Sequence, residues 1–164
     1  MALEDCDVLV IAGGASNGDC DLARPVLRAL GLVPLFAGVS IKPGKPVWYG
    51  KVGGVHVLGL PGNPAAAMTV ARLFLVPLLA ALSGRSFAGA LDWQERLLAA
   101  PIEAADPKRD MALLGHRSAD GRVAMLPRQS ASAQLPLAKA ELLVLRPAGG
   151  PALPAGAPVR ILDL

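Results

Sequence analysis

The sequence has few cysteines, few aromatic residues and no strong excess of either charge. Only 2 of its 164 residues are cysteines, Cys6 and Cys20, and their spacing fits neither a metal site nor a redox pair. So few thiols indicate a reducing, cytoplasmic compartment. Aromatic residues make up 4% and the formal net charge is +3, without the basic runs and interleaved aromatics of nucleic-acid-binding surfaces. We therefore expect a cytoplasmic protein that does not bind nucleic acid.

Long hydrophobic runs of the kind that mark a signal peptide or a membrane span are also missing. The apolar run ending at Ala12 is too short for a signal peptide and follows acidic residues. The longest run, residues 73–82, is about half of a membrane span and contains Pro77. Because 53% of the residues are nonetheless hydrophobic, the sequence predicts a soluble domain with a packed core and no membrane partner.

The first half of the chain has the pattern of an α/β domain. Residues 7–12 form a continuous apolar run that ends in glycines, which is typical of a strand buried on both faces in a parallel sheet. A helix should follow and end at Gly31, and residues 47–52 and 55–60 should form a hairpin closed by two glycines. The apolar face of that first helix is expected to consist of Leu22, Val26, Leu27 and Leu30.

A long helix is predicted from Pro64 to about Leu82. Asn63 and Pro64 are favourable residues for its N-cap and first turn. It is apolar nearly all round, so we expect it to be deeply buried, with a kink at Pro77, which cannot donate to the Leu73 carbonyl.

The second half has a different pattern. After about residue 88, five segments of five to eight residues look like strands and are separated by turn residues. This pattern predicts a small all-β barrel or half-barrel. We place the boundary between residues 84 and 89, which gives a partial doubly wound α/β domain over residues 1–87 and a β-barrel domain over residues 88–164.

Three loops rich in glycine or proline follow the predicted strands of the α/β domain, at the sheet edge where such folds bind ligands. Residues 12–21 contain glycines that let backbone N–H groups approach an anion, together with two aspartates that could bind a divalent cation. Residues 41–46 hold Lys42 and Lys45 between two prolines and a glycine, which presents two cations on a stiff loop. Residues 60–64 lead into a helix N-terminus. Together these loops predict a site for a phosphorylated small molecule.

Each loop by itself also has a purely structural explanation. The first is an ordinary strand-to-helix turn with an aspartate cap, the second a solvated turn and the third good helix capping. His56 and His116 lack partners at metal-ligand spacing, and Trp48, Tyr49 and Trp93 are expected to pack rather than react. It is the presence of all three loops on one sheet edge that favours a site.

The motifs of these loops identify a family. Residues 13–21 resemble the GGxSxGxxD loop of the MoeA/gephyrin family of molybdopterin molybdenumtransferases, residues 42–46 match its KPGKP motif and residues 59–64 its GLPGNP motif. Their order and spacing agree with that family as well. The second half is similar to its small C-terminal β-barrel domain. The resemblance implies that residues 1–87 are part of a MogA-like, molybdopterin-binding domain.

The resemblance also implies an activity. The family transfers molybdenum from molybdate into adenylylated molybdopterin and releases AMP, with Mg²⁺ assisting. By this resemblance Asp21, Lys42 and Lys45 are catalytic, and Asp21 is also the metal ligand. The residues that the resemblance assigns to substrate binding are Gly13, Gly14, Ser16, Gly18, Asp19, Pro43, Gly44, Pro61, Gly62, Asn63, Arg109 and Ser130.

The family's quaternary organisation adds further expectations. Its active site is assembled across a homodimer, and a pterin adenylyltransferase is a further candidate partner. Counterparts of its two N-terminal domains and of the first half of its pterin-binding domain are not in this sequence, so we expect a fragment that is not fully active alone and that self-associates. Two alternatives stay open: a molybdopterin adenylyltransferase-like enzyme, and a non-catalytic pterin-binding or scaffold module.

Overall fold

A computed structural model describes residues 3, 5–13, 22–127, 129 and 134–164. It contains two sheets and is mixed α/β, which confirms the predicted fold class. The strands are β1 (Val8–Ala12), β2 (Val33–Ala37), β3 (Ile41–Lys42), β4 (Trp48–Val52), β5 (Val55–Leu60), β6 (Gln94–Leu97), β7 (Asp110–Arg117), β8 (Val123–Met125), β9 (Leu142–Arg146) and β10 (Pro158–Asp163). The helices are α1 (Ala23–Ala29), α2 (Pro64–Val70), α3 (Val76–Leu82) and α4 (Gln134–Ala138), with a π-helical turn (Ala71–Leu75) between α2 and α3.

The first sheet has the strand order β1-β5-β4-β2. β1 runs parallel to β5, with Val8 opposite His56 and Ala12 opposite Leu60, so the two strands end at the same edge. The predicted hairpin of β4 and β5 is present, and its antiparallel register places Trp48 opposite Gly59. This register brings the start of β4 to the same edge as the ends of β1 and β5.

The expectation that β1 is buried on both faces is wrong, and the predicted apolar face of α1 is buried only in part. β1 is an edge strand, and Val10 is 39% exposed, so the strand is not buried on both faces. On α1 only Leu27 is buried, whereas Leu22, Val26 and Leu30 are exposed. The reason is that, within the described residues, only the side of α1 that carries Leu27 packs on the sheet, against Trp48 and its neighbours.

The long helix is present but differs from the prediction in two ways. Instead of a simple kink, a π-helical turn ends directly before α3, whose second residue is Pro77. A wider turn fits a position where proline has no N–H to donate. The helix is also not deeply buried, because Met68, Val76, Leu79 and Leu82 are exposed. By length and composition alone residues 64–82 could cross a membrane, a test that a core helix of a soluble protein also passes.

The second sheet has the order β3-β7-β9-β10-β6, and β8 pairs with the other end of β7. The second sheet therefore partly closes, because an isolated bridge between Leu98 and Val123 joins the segment after β6 to β8. Among the described residues one bridge, and not a continuous ladder, closes this sheet, so a closed barrel is not seen. The short helix α4 was not predicted.

The two halves share a hydrophobic core. Ile41 and Ala65 from the first half pack with Ala112, Leu143 and Leu162 from the second. Strand β3, although it lies early in the chain, belongs to the second sheet and runs parallel to β7. Arg72 in the π-helical turn donates to the carbonyl oxygens of Ala90 and Asp163. The predicted division at residues 87 and 88 stays a prediction.

Candidate anion-binding site

A cleft of about 450 Å³ lies where the second and third loops meet the second sheet. Predicted site residues from both halves of the chain line it together. They are Lys42, Pro43, Gly44, Lys45, Pro61, Asn63 and Arg109, and they are joined by Ile41, Pro46, Ala66 and Gln129. The lysine loop, the helix-start loop and Arg109 therefore border one cleft, and their role in binding a ligand stays a prediction.

Strand β3 brings the lysines close to Arg109. Ile41 stands opposite Asp110 and Lys42 opposite Met111 in a short parallel ladder. The N–H of Asp110 donates to the carbonyl oxygen of Ser40 at 3.0 Å, and the Ser40 hydroxyl donates to the carbonyl oxygen of Lys108 at 3.0 Å. The segment before the lysine loop is thus fastened on both sides of Arg109.

The lysine loop itself is held by its backbone. The N–H of Val39 donates to the Lys45 carbonyl at 3.0 Å, and the N–H of Val47 donates to the Gly44 carbonyl at 3.1 Å. Gly44 has φ +124°, and a Cβ at this position would lie 2.8 Å from Cγ2 of Val70. The peptide bond between Lys42 and Pro43 is cis. The two lysines therefore project from a loop that is packed against α2.

The helix-start loop supplies a polar side chain to the cleft, that of Asn63. Asn63 stands at the N-cap of α2 and Pro64 at its first position, as predicted. The Asn63 carbonyl accepts from the N–H of Ala67 at 2.8 Å, but its side chain makes no capping hydrogen bond. The exposed Asn63 amide group is therefore available to a ligand in the cleft.

The first loop meets the third loop at Gly13, the last of its residues that the structure describes before Leu22. The N–H of Gly13 donates to the Leu60 carbonyl at 3.1 Å, and Gly13 lies against Gly62. Of the first-loop residues assigned to the site, the structure describes Gly13. Outside the described residues lie Gly14, Ser16, Gly18, Asp19 and Asp21, and so does Ser130 of the second half.

Asp106 contributes a carboxylate that the sequence analysis missed. Its Oδ2 accepts from Arg109 at 2.8 Å and its Oδ1 from the backbone N–H of Lys108 at 2.9 Å. The Lys108 N–H and then the Arg109 side chain hold the pKa of this carboxyl below its ordinary value, and the charge of Lys42 acts in the same direction. The opposite charges at positions 106 and 109, directly before a predicted strand, could have indicated this pair.

Gln129 is the second residue that the sequence analysis missed. Its side chain accepts from the N–H of Leu114 at 2.8 Å and donates to the carbonyl oxygens of Leu114 and Leu126. These bonds hold the side chain of Gln129 in place where it lines the cleft. No sequence signal separates Gln129 from an ordinary surface glutamine.

The described residues do not fit a magnesium ion. Mg²⁺ is usually held by carboxylates and waters, but none of the described residues that line the cleft is a carboxylate. The carboxylate of Asp106, which contacts Arg109, is already engaged by Lys108 and Arg109. Within the described ranges, no three His, Cys, Asp or Glu residues cluster as metal ligands would. A role of Asp21 in metal binding stays a prediction, since Asp21 lies outside those ranges.

Comparison with known proteins identifies relatives of this chain. A family model described as a probable molybdopterin binding domain matches residues 1–81. A molybdopterin molybdenumtransferase from Synechococcus elongatus is 31% identical over 163 residues, which cover 96% of this chain and 38% of that protein. The protein of the same name from Haemophilus influenzae is 38% identical over 84 residues, covering 51% of this chain and 20% of its own length.

A solved structure agrees over both halves. The molybdopterin biosynthesis MoeA protein from Pyrococcus horikosii superposes with a TM-score of 0.79 at 28% identity and covers 99% of this chain and 38% of that structure. The chain belongs to the MoeA/gephyrin family. It spans about a fifth to two fifths of the length of these relatives. The names of these family members place the chain in molybdenum cofactor biosynthesis, as the three loop motifs predicted.

Proposed function

We propose that this chain supplies an oxyanion-binding part of the active site of a molybdopterin molybdenumtransferase. The reaction inserts molybdenum from molybdate into adenylylated molybdopterin and releases AMP. The observation that carries the proposal is that Lys42 and Lys45 from the first half of the chain and Arg109 from the second half line one cleft. These three cations, together with the Asp106 carboxylate that Arg109 contacts, have a formal charge of +2, which suits a dianion such as molybdate or a phosphate group.

The residues of the cleft have distinct roles in this proposal. The two lysines and the Arg109 guanidinium bind oxyanion oxygens and offset negative charge that develops as the phosphoanhydride breaks. Arginine presents several N–H donors in a fixed plane, and lysine acts as a point charge. Asn63 offers a neutral amide for orientation, while Gly44, Pro43, Pro61 and Gly62 shape the backbone around the ligand.

The first loop is the proposed site of the pterin phosphate. The contact between Gly13 and Gly62 supports this assignment, because it places the start of that loop beside the helix-start loop. Asp19 and Asp21, with Gly14, Ser16 and Gly18, would complete this part of the site, and Asp21 would hold Mg²⁺. Ser130 would complete it on the side of the second half.

The proposal extends to the setting of the enzyme. We propose a cytoplasmic homodimer in which residues from other parts of the protein complete the site, with a pterin adenylyltransferase as a partner. The exposed apolar side chains on and beside α1, among them Leu22 at 67% exposure, support a contact between this surface and another part of the assembled enzyme.

A binding titration with a matched variant tests the function. We expect calorimetric titration with molybdate, and separately with adenylylated molybdopterin, to show saturable binding that Lys45→Ala weakens by about 10-fold or more. Lys51→Ala is the control, because it removes the same charge at a distant position. Lys51 stands opposite His56 near the turn of the β4–β5 hairpin. Equal binding by wild type and Lys45→Ala would remove the lysine loop from the site. Formation of adenylylated molybdopterin from ATP would support the adenylyltransferase alternative instead.

A further inference from the structure

Asp106 holds the Arg109 guanidinium from one side. The carboxylate oxygen Oδ2 accepts one N–H of Arg109 at 2.8 Å, and Oδ1 accepts the backbone N–H of Lys108 at 2.9 Å. The Asp106 side chain is 16% exposed and the Arg109 side chain 39% exposed. A guanidinium has five N–H donors, so this contact restrains one nitrogen of Arg109 and leaves other donors free for a ligand in the cleft that Arg109 lines.

The loop that carries Asp106 is itself anchored to the second sheet. The Asp106 carbonyl accepts the N–H of Gly149 at 2.9 Å, and the N–H of Ala105 donates to the Gly150 carbonyl at 2.8 Å. Arg146, buried at the end of β9, donates to the carbonyl oxygens of Glu103 and Pro151 on either side of this contact. The carboxylate therefore stands on backbone that is fastened by several hydrogen bonds.

Resting on the proposed function, we propose that Asp106 is a positioning residue that orients Arg109 for binding an oxyanion in the cleft. A carboxylate beside an anion site has two opposing effects. Its negative charge repels the ligand, which weakens binding, while its hydrogen bond orders a long side chain before the ligand arrives, which strengthens binding. Positioning is the effect that we infer to dominate, because the carboxylate engages both its own loop and the guanidinium.

Replacement of Asp106 by asparagine separates these effects by their sign. Asparagine keeps an oxygen for the Lys108 N–H but places an amide group where Arg109 needs an acceptor. We expect Asp106→Asn to weaken molybdate binding by about 3- to 10-fold, which is the effect of releasing one flexible side chain. Binding that becomes tighter would overturn the proposal, because charge repulsion would then be the larger effect.

A neighbouring carboxylate provides the matched control. Asp110→Asn removes the same charge one residue after Arg109. The Asp110 side chain accepts from the N–H of Ala148, whereas the Arg109 guanidinium donates to Asp106. We expect this variant to bind molybdate as tightly as wild type or slightly more tightly. Asp106→Glu, which keeps the charge and an acceptor, should recover part of the lost affinity. A loss of the same size in Asp110→Asn would contradict a specific role for Asp106.

A double-mutant cycle tests whether Asp106 acts through Arg109. In an Arg109→Ala background, Asp106→Asn should no longer weaken molybdate binding, since there is no guanidinium left to orient. An undiminished effect in that background would refute positioning through Arg109. Circular dichroism and thermal unfolding of each variant establish that the fold is retained.

One measurement without ligand separates failure of this inference from failure of the proposed function. If wild type binds no oxyanion, the proposed function is wrong, and the ¹⁵N relaxation of the Arg109 side chain still reports its order. We expect Asp106→Asn to increase the mobility of the Arg109 Nε–H and to leave that of Arg146 unchanged. Unchanged order at Arg109 would overturn the positioning role whether or not the cleft binds an anion.

Discussion

Replacement of Gly44 by alanine should disturb both the stability of the protein and its anion site. Gly44 has φ +124°, a conformation that alanine rarely adopts, and its new Cβ would lie 2.8 Å from Val70 Cγ2 and 3.2 Å from Ile41 Cγ2. Both neighbours are buried, so neither can move freely away. Because Gly44 stands between Lys42 and Lys45, a shift of the loop displaces the two cations as well.

The expected magnitude follows from two costs and one gain. The unfavourable backbone conformation costs about 1 to 3 kcal/mol, and forcing a methyl group into a packed core costs about 1 to 3 kcal/mol more. Loss of glycine freedom in the unfolded chain returns about 0.4 to 1 kcal/mol. Gly44→Ala should therefore lower the free energy of unfolding by about 1 to 5 kcal/mol, which leaves many domains of this size folded.

Alanine variants of the two glycines at the hairpin turn separate the backbone cost from the cost of the new contact. Gly53 has φ +56° but no atom within 4 Å of a new Cβ, so Gly53→Ala carries the backbone cost alone. Gly54 has neither a positive φ in this range nor a neighbour within 4 Å, so Gly54→Ala should leave stability nearly unchanged. The expected order of stability is Gly54→Ala, then Gly53→Ala, then Gly44→Ala.

Urea unfolding measures the free energy, and titration with molybdate measures the site. We expect Gly44→Ala to be less stable than Gly53→Ala and to bind molybdate more weakly, while the two hairpin variants bind as wild type does. If Gly44→Ala were as stable as Gly53→Ala, the contact with Val70 would carry no cost. If it were as stable as Gly54→Ala and bound molybdate normally, the account of a stiff lysine loop would be refuted.

Two further predictions concern the first sheet. Gly59→Ala should prevent folding or strongly destabilise it, because the new Cβ would lie 2.1 Å from the indole of Trp48; a cooperative unfolding curve like that of wild type would contradict this packing. His56 should titrate below its ordinary pKa, because burial and then the charge of Lys51 lower it, while Asp7 raises it. The His56 ring therefore binds a proton less readily in the folded state than in the unfolded chain. The contribution of neutral His56 to the free energy of unfolding is full above about pH 6.5 and is lost as the pH falls through the folded-state pKa of His56. Histidine NMR shifts with urea unfolding at pH 7.5 and 5.5 test this, and Tyr49→Phe, which removes the hydrogen bond to His56 Nδ1, is the comparison.

The local elements could be predicted because short-range signals specify them. The two glycines after Val52 close the β4–β5 hairpin, and Asn63 with Pro64 begins α2, in both cases through backbone preferences of a few adjacent residues. The lysine loop could be predicted for the same reason, since Pro43 and Pro46 restrict the backbone around the lysines and Gly44 permits the bend between them.

The errors arise where a neighbour decides the outcome. Leu22, Val26 and Leu30 have the spacing of a buried helix face, yet only Leu27 packs on the sheet, because apolar spacing does not say which side another element covers. The π-helical turn could not be predicted from Pro77 alone, since proline equally permits a simple kink. The pairing of β3 with β7 joins residues nearly 70 positions apart, and two residues are too few to produce a strand pattern.

The two-residue strand β3 gives the site a mechanical property. Lys42 is the last residue of a strand that is bonded to β7, Lys45 follows that strand and Arg109 comes directly before β7. The three cations therefore keep their separation only as long as this ladder and the Ser40 contacts hold. Any hinge motion between the two halves of the chain that parts β3 from β7 also parts the lysines from the arginine. An anion bound between them would therefore also hold β3 against β7, so the ligand and this short ladder would stabilise each other.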